Sequence, residues 1–396
     1  MNPHLHGLQP YPFERLNALL DDLEPNPKRT RVSLSIGEPK HAAPDFVVDA
    51  LTEPSRVRDS LATYPPTRGS LGLRSAIAGW IRRRFGAVLD PESNILPVNG
   101  TREALFSFGQ AVLSGNPGGR VLMPNPFYQI YEGAALLRGA RPYYVPATEV
   151  PDFDAVPASL WPQVELVYLC NPGNPSGAVI GEDALVALIE RAHEYDFVIA
   201  ADECYSEIYH DEAHPPVGLL EAAANAGLGQ ARCVAFNSLS KRSNLPGLRS
   251  GFAAGDASLI ARYYDYRTYH GCAMPALVAE ASALAWDDEA HVVANRAVYR
   301  AKFDAVHPIL AAALDVAMPD AAFYLWPRTP VDGERFAAAL YEREHILVLP
   351  GSYLGRKQDG VNPGAKRVRI ALVAPLADCV AATERLAEFA HRHVFA

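Results

Sequence analysis

Between about residue 43 and residue 267, short apolar segments alternate with segments of helical periodicity. The apolar segments at 121–124, 166–172, 197–203 and 232–238 are rich in Val, Ile, Leu, Ala and Phe, and we predict a strand at each. The stretch 182–194 between two of them is amphipathic at helical spacing. Continuous apolar strands joined by helices form mainly parallel sheets that are covered on both faces. The pattern therefore predicts an α/β fold.

The two ends of the chain follow a different pattern. The first forty residues are rich in proline, with one predicted helix at 13–23 and one strand at 33–39. Residues 276–313 are alanine-rich and helical, and strands are predicted after them at 323–327, 346–351 and 367–373. We predict a large domain at 43–275, with 1–42 and 276–396 as an N-terminal arm and a small α+β C-terminal domain.

Composition excludes several classes of protein. The 396 residues carry 36 Lys and Arg against 45 Asp and Glu, a net charge of −9, and phosphate backbones require the opposite sign. No apolar run approaches the ~18 residues of a membrane span, and no basic–apolar leader opens the sequence. The five cysteines are scattered without CxxC spacing. We therefore expect a cytoplasmic protein with reduced thiols and neither a nucleic-acid partner nor a membrane partner.

Polar motifs follow three of the predicted strands, at the edge where α/β sheets bind ligands. They are N-P-G-N-P-S-G at 171–177, D-E-C-Y at 202–205, and S-L-S-K at 238–241 with Arg249 eight residues further on. Each motif also has a simpler interpretation. The first is made of good turn formers, Asp202 could cap a helix, and Lys241 could point to solvent.

Taken together, the three motifs describe one kind of site. A lysine that can bond to an aldehyde, a carboxylate that can face a pyridinium nitrogen, and Ser and Arg donors for a phosphate suit pyridoxal 5′-phosphate. No G-x-G-x-x-G or P-loop follows a strand, which disfavours a nucleotide-binding α/β protein.

With G-T-R-E-A-L at 100–105 and P-N-P-F-Y at 124–128, these motifs occur in an order that resembles the class I/II aminotransferases. The resemblance covers essentially the whole chain. It implies the PLP-dependent transferase fold type I, in which a large domain with a mainly parallel mixed sheet covered by helices is joined to a smaller α+β domain. It also implies the cofactor pyridoxal 5′-phosphate and a homodimer with shared active sites.

The resemblance implies a role for each matching residue. Lys241 would carry the cofactor covalently and move the substrate proton, and Asp202 would keep the pyridine nitrogen protonated. Asn174 and Tyr205 would bond the phenolic oxygen, and Tyr128 would stack on the ring unless it is a core tyrosine. The residues implied for the phosphate are Gly100, Thr101, Arg102, Ser238, Ser240 and Arg249, with Tyr64 from the neighbouring subunit.

Substrate contacts are implied for three residues. Arg369, among apolar neighbours, would bind the α-carboxylate unless it forms a structural ion pair, and Gly37 would bring its backbone to that carboxylate together with Asn174. The twelve histidines show no ligand spacing, so we expect no metal.

Flanking strings allow a narrower match. L-Q-P-Y-P-F-E-R-L at 8–16, S-L-S-I-G-E-P-K-H at 33–41 and the segment 238–252 resemble the succinyldiaminopimelate aminotransferases of bacterial lysine biosynthesis. That match implies glutamate as donor and N-succinyl-2-amino-6-oxopimelate as acceptor, with Lys40, Arg15 and Arg242 as candidate contacts for the distal carboxylates. An aspartate, aromatic or kynurenine aminotransferase, a PLP-dependent β-lyase or decarboxylase, and a PLP-sensing regulator stay open.

Overall fold

The computed structural model describes residues 1–147, 149–358 and 360–392. In that part of the chain the β-strands, in chain order, are β1 (Val32–Ser33), β2 (Ile95–Val98), β3 (Arg120–Asn125), β4 (Arg141–Pro146), β5 (Val164–Cys170), β6 (Val198–Asp202), β7 (Cys233–Ser238), β8 (Gly251–Gly255), β9 (Tyr324–Leu325), β10 (Ile346–Leu347), β11 (Leu349–Pro350) and β12 (Val368–Ala371).

The α-helices of the same ranges lie before, between and after these strands. They are α1 (Pro12–Leu20), α2 (Asp45–Thr52), α3 (Pro54–Ala62), α4 (Leu71–Phe85), α5 (Thr101–Val112), α6 (Gln129–Leu137), α7 (Glu182–Tyr195), α8 (Leu219–Asn225), α9 (Leu239–Arg242), α10 (Ala257–His270), α11 (Ala276–Asp287), α12 (Ala290–Ala311), α13 (Gly333–Glu344) and α14 (Leu376–Arg392).

A large sheet contains seven of the strands in the order β2-β8-β7-β6-β5-β3-β4. The strands from β7 to β4 pair in parallel, whereas β8 runs antiparallel to both β2 and β7. Two apolar clusters pack on its faces, one around Trp80 and Trp286 and one around Phe108 and Tyr168. The predicted α/β class with a mainly parallel, doubly covered sheet is confirmed.

The carboxyl ends of β5, β6 and β7 lie side by side. Cys170 pairs with Asp202, and Asp202 pairs with Phe236, so the three strands end at nearly the same level. The loops that follow them therefore meet above one edge of the sheet, where α/β proteins bind ligands.

Both ends of the chain build the smaller sheets. β1 pairs in parallel with β10, and β12 lies between β11 and β9 in an antiparallel three-stranded sheet. Their apolar residues share a core with α12, α13 and α14. α11, which our predicted boundary assigned to the small domain, packs against α2 and α4 beside the large sheet. The division at 43–275 stays a prediction.

Two predicted elements differ from the structure. The strand predicted at 33–39 is regular only to Ser33, because the chain then turns toward the sheet edge so that the carbonyl of Gly37 faces Lys241. The long helix predicted at 276–313 is two helices. The carboxylate of Asp288 accepts the His291 N–H at 2.9 Å, which starts α12 after a break.

A membrane-crossing helix is not found among the described residues, since none of their helices combines the necessary length and apolarity.

Candidate active site

A cavity of about 430 Å³ opens above the carboxyl ends of β5, β6 and β7. Most of the residues singled out in the sequence line it: Gly37, Thr101, Arg102, Tyr128, Asn174, Asp202, Tyr205, Ser238, Ser240, Lys241, Arg249 and Arg369. Gly100 lies directly behind this wall, against the guanidinium of Arg249. Tyr64 does not line the cavity, and its side chain is fully exposed.

Lys241 is half-buried on the short helix α9, immediately after β7. Its Nζ donates to the carbonyl oxygen of Gly37 at 2.6 Å and lies 5.4 Å from the ring centre of Phe323. Burial lowers the pKa of this amine to about 8. Lys241 therefore does not point to solvent, and at pH 7 roughly a tenth of it is the uncharged amine, far more than for an exposed lysine.

Asp202 is the buried last residue of β6. Its Oδ2 accepts from the hydroxyl of Tyr131 at 2.9 Å, and its Oδ1 accepts from the N–H of Cys204 at 3.4 Å. Turn, not helix, follows it, so it is not a helix cap. Burial raises the pKa of the carboxyl, and no Lys or Arg nitrogen of the described residues lies within 4 Å. Asp202 is thus a desolvated carboxylate that a cation in the cavity would stabilise.

The start of α5 and Arg249 lie together at one wall of the cavity. Gly100 caps α5 with φ of +88°, and the first-turn N–H groups of the helix have no intrahelical acceptor. A Cβ on Gly100 would overlap the guanidinium of Arg249, so glycine permits this close approach. Arg249 has a left-handed φ of 53° and donates to the carbonyl of Pro246 at 2.8 Å.

The two serines of this wall are bonded to each other. The hydroxyl of Ser238 lies 2.8 Å from that of Ser240 and 3.1 Å from the carbonyl oxygen of Ser250, and it accepts the N–H of Ser240 at 3.0 Å. Ser238 is therefore already engaged as the cap of α9, while Ser240 is less buried. Their proposed phosphate contacts stay predictions.

Arg369 lies buried on β12, with its guanidinium over the ring of Tyr324 at 4.4 Å. It donates to Asn174 Oδ1 at 3.0 Å and to the carbonyl of Ser35 at 2.7 Å, while its Nε has no hydrogen-bond partner in the described structure. Within those same residues no carboxylate lies within 4 Å of it. Arg369 therefore does not form a structural ion pair with these residues, and its guanidinium can bind the carboxylate of a ligand.

Two tyrosines that the sequence did not reveal complete the site. Tyr131 bonds Asp202 and lies edge-on to the ring of Tyr128, with 5.7 Å between centres. Its position in the first turn of α6, three residues after Tyr128, was the available signal. The hydroxyl of Tyr324 lies 2.9 Å from that of Tyr205 and directly beneath Gly37, where a Cβ would overlap it. Burial raises the pKa of Tyr128, Tyr131 and Tyr205, so all three are neutral donors.

The start of α1 closes one side of the cavity. Tyr11, Pro12 and Phe13 line it, and the guanidinium of Arg102 lies 4.9 Å from the ring centre of Tyr11. Arg102 is exposed at this rim, so it can offer its charge to a ligand.

The sequence candidates for distal carboxylates lie elsewhere. Arg242 was the wrong choice, because it is buried between Trp80 and Trp286 and donates to the carbonyl of Ala285 at 2.6 Å. Arg15 covers the ring of Tyr353 at 3.8 Å and does not line the cavity. Lys40 is exposed outside it.

Glu103, His270 and Cys272 are the group in the described structure that could hold a metal ion. Arg267 donates to both oxygens of Glu103, at 2.7 and 2.8 Å, and so already compensates its charge. The expectation of no metal stays a prediction.

Comparison with known proteins identifies the family. The model of the aminotransferase class I and II family matches residues 29–386. The chain belongs to this family. An aminotransferase structure from Neisseria meningitidis Z2491 is 46% identical, with a TM-score of 0.94 over 98% of this chain and 100% of that one. Enzymes of the family depend on pyridoxal 5′-phosphate.

Two further relatives of this aminotransferase bear on its substrate. The LL-diaminopimelate aminotransferase of Nitratidesulfovibrio vulgaris (strain DSM 19637 / Miyazaki F) is 31% identical over 83% of this chain and 85% of its own length. A Thermus thermophilus structure described as a "probable N-succinyldiaminopimelate aminotransferase" is 26% identical, with a TM-score of 0.86, and the match covers 95% of this chain and 99% of that one.

The residues of the cavity fit pyridoxal phosphate. Among the described residues, no cationic nitrogen lies within 4 Å of the desolvated carboxylate of Asp202, which leaves it able to pair with a pyridinium. A half-buried amine, a free helix N-terminus and an exposed arginine line the same cavity. These groups suit the ring nitrogen, the aldehyde and the phosphate of the cofactor.

Proposed function

We propose that this aminotransferase is an N-succinyl-L,L-diaminopimelate:2-oxoglutarate aminotransferase, with glutamate as amino donor. The observation that carries the proposal is that the guanidinium groups of Arg369 and Arg102 line one cavity in addition to that of Arg249. The apolar side chains of Phe13, Ile36 and Leu349 also lie in its wall. Arg369 suits the α-carboxylate. Arg102, for which the resemblance implied a phosphate contact, lies at the exposed rim, and we propose that it binds a second carboxylate on a long, partly apolar substrate instead.

Pyridoxal phosphate, when bound, supplies an aldehyde that bonds to amines and a ring that withdraws electrons. We propose Lys241 as the residue that bonds to it and later moves the proton at the substrate Cα. A pKa of about 8 suits both tasks, since the free amine is the nucleophile and the base. Gly37, whose carbonyl accepts from Nζ, would hold the amine in place.

The other predicted roles remain proposals with structural support. Asp202 would hold a proton on the cofactor ring, and Tyr131 would orient the carboxylate through its 2.9 Å hydrogen bond. Asn174 would hold Arg369 ready for the α-carboxylate through its 3.0 Å contact. Tyr205 would bond the phenolic oxygen and Tyr128 would stack on the ring. Thr101, Ser238, Ser240 and Arg249 would bind the phosphate.

A homodimer with shared sites is part of the proposal. Tyr64 is fully exposed, and Leu61 and Tyr269 are 82% and 95% exposed. The end of α3, which carries Leu61, lies against the start of α11, because Ser60 Oγ accepts the N–H of Leu277 at 3.1 Å. Exposed large apolar side chains mark association surfaces, so we place the partner subunit here, with Tyr64 reaching the partner's phosphate.

A second candidate substrate is LL-diaminopimelate, because the Nitratidesulfovibrio relative is named as an LL-diaminopimelate aminotransferase. Glu38 favours it, because this exposed carboxylate also lines the cavity and neither a hydrogen bond nor an ion pair ties it within the described residues. The distal end of LL-diaminopimelate is an amino acid, and its ammonium suits Glu38. A succinylated substrate has no ammonium there to pair with Glu38.

Substrate profiling tests the two candidates. The succinylated substrate, its acetylated analogue, LL-diaminopimelate, kynurenine and aspartate are each compared with 2-oxoglutarate as acceptor. We expect the succinylated substrate to exceed the acetylated one by more than about tenfold in kcat/KM, the worth of one charge-assisted hydrogen bond. Arg102→Gln should remove that difference. Faster turnover of LL-diaminopimelate, reduced by Glu38→Gln, would replace the proposal with the second candidate.

A further inference from the structure

Lys302 of α12 is a buried cation without a carboxylate partner. Its side chain is 1% exposed, and no Asp or Glu of the described residues lies within 4 Å. Nζ instead contacts His41 Nε2 at 2.7 Å and the carbonyl oxygen of Leu372 at 3.1 Å. A buried charge needs such acceptors, so the contact with His41 carries a large part of its stabilisation.

The hydrogen bonds fix the tautomer of His41. Asn295 donates its amide to the carbonyls of Lys241 and Arg242, at 3.1 and 3.2 Å, so its Oδ1 must be the acceptor in its other contacts. That oxygen lies 3.1 Å from His41 Nδ1. His41 therefore carries its proton on Nδ1 and offers the lone pair of Nε2 to Lys302, which requires a neutral ring. Burial lowers the pKa of His41 accordingly.

The network reaches the carbonyl of Lys241 through Asn295, and a second route reaches its amine. The ring of His41 lies 4.8 Å from that of Tyr299, which stacks at 5.4 Å on Phe323. Phe323 in turn lies 5.4 Å from the Nζ of Lys241. His41 also follows Gly37 by four residues, and the Gly37 carbonyl accepts from the same Nζ.

We propose that His41 is a positioning residue, which acts through Asn295 and the segment 37–41 to hold the amine of Lys241 in place. Lys302 locks His41 in the required tautomer. It also ties the carbonyl of Leu372, just beyond β12, which carries Arg369. The inference rests on the proposed role of Lys241. It adds that the amine is placed by a network outside the cavity, anchored on α12.

Three variants of His41 distinguish an effect on the position of the Lys241 amine from an effect on the folding stability of the protein. His41→Asn keeps a donor near Nδ1 for Asn295 but loses the acceptor for Lys302. His41→Gln keeps an acceptor near Nε2 and loses the donor, and His41→Phe keeps only the ring stack on Tyr299. His193→Asn, on the exposed face of α7, is the matched control.

We expect opposite rankings in two measurements. In kcat per folded active site, His41→Asn should stay within about twofold of wild type, whereas His41→Gln and His41→Phe should fall about five- to tenfold, the effect of one hydrogen bond. In thermal unfolding of the apo-protein, His41→Gln should lie nearest to wild type. His193→Asn should change neither. Equal kcat for His41→Asn and His41→Gln would overturn the proposal, as would an unchanged kcat in His41→Phe.

A measurement without cofactor distinguishes this inference from the proposed function. Acylation of Lys241 in the apo-protein by an amine reagent, followed by peptide mass spectrometry across pH, reports the free amine itself. The pKa of Lys241 is lowered to about 8 in the wild-type protein. We expect a higher apparent pKa in His41→Phe, because a displaced amine is better hydrated. Borohydride mapping of the wild-type holoenzyme separately tests whether Lys241 carries the cofactor. A label elsewhere would refute that role, while an unchanged acylation profile would refute the positioning.

Discussion

At the scale of single residues, the buried amine of Lys241 predicts how folding stability depends on pH. Its pKa is lowered to about 8 from 10.5 by burial, so the folded apo-protein binds fewer protons here than the unfolded chain between those two pH values. The contribution of Lys241 to the free energy of unfolding therefore rises with pH between about 8 and 10.5. Below pH 8 the buried charge destabilises the folded state by its full amount.

We expect Lys241→Met to raise the melting temperature of the apo-protein at pH 7, with the gain shrinking as the pH approaches 10.5. Calorimetry across this range measures it, and Lys40→Met at an exposed position is the control. The same variant should lose turnover by more than about 10²-fold, since it has no base. A gain that grows with pH would contradict the assigned burial.

Asp202 supplies the second prediction. Asp202→Asn keeps an acceptor for the hydroxyl of Tyr131 but removes the charge. Opposite charges ~4 Å apart at an effective dielectric of ~20 attract by about 4 kcal/mol, so loss of the carboxylate should release the ring proton and slow turnover on the order of 10²–10³-fold.

Because burial raises the pKa of Asp202, its ionisation disfavours the folded state, and Asp202→Asn should stabilise the apo-protein at neutral pH. Stopped-flow absorbance of the holoenzyme and thermal unfolding of the apo-protein measure the two effects. Asp202→Glu, which retains the charge, should recover part of the rate. Near wild-type turnover in the Asn variant would show that Asp202 does not act on the ring.

At the scale of elements, the start of α5 depends on one glycine. Gly100→Ala would place a Cβ against the guanidinium of Arg249 at a φ of +88°, which costs on the order of 1–3 kcal/mol of folding stability. The displaced Arg249 should also weaken binding of pyridoxal phosphate, and even of inorganic phosphate.

Gly72→Ala in α4 is the matched control, since nothing lies within 4 Å of its added Cβ and a helical alanine stabilises by roughly 0.5–1 kcal/mol. Chemical denaturation and phosphate titration of the apo-protein provide the measurements. Equal stability changes in the two variants would mean that the backbone at Gly100 is not constrained.

The elements also show what sequence alone can predict. Four strands of the large sheet, β3, β5, β6 and β7, lie within two residues of their predicted bounds, because buried parallel strands are continuous apolar runs. No bounds were predicted for β2, β4 and β8. The contact of Tyr324 with Tyr205 and the pairing of β1 with β10 were not predicted. Both join segments more than a hundred residues apart in the sequence, which no local pattern connects. The motif residues converge because strand ends share one edge, whereas Arg242 points into the core between two tryptophans that no local pattern connects to it.

At the scale of the whole molecule, the proposed homodimer predicts that each active site contains a residue of the partner subunit. Tyr64 is fully exposed and lies outside the cavity, while Lys241 and Arg249 line it. If Tyr64 completes the phosphate site of the partner subunit, each active site takes its Lys241 from one subunit and its Tyr64 from the other. When the Tyr64→Ala and Lys241→Ala proteins are mixed and their subunits exchange, each heterodimer should contain one intact site.

Random exchange makes half of the dimers heterodimers, so about a quarter of wild-type activity should return. Subunit exchange is verified by mass, and activity is followed with glutamate and an oxo-acid acceptor. Lys241→Ala mixed with Arg249→Ala is the control, because both residues line the cavity of a single chain and no intact site can form. Recovery in the control, or none with Tyr64→Ala after verified exchange, would show that Tyr64 does not act across the interface.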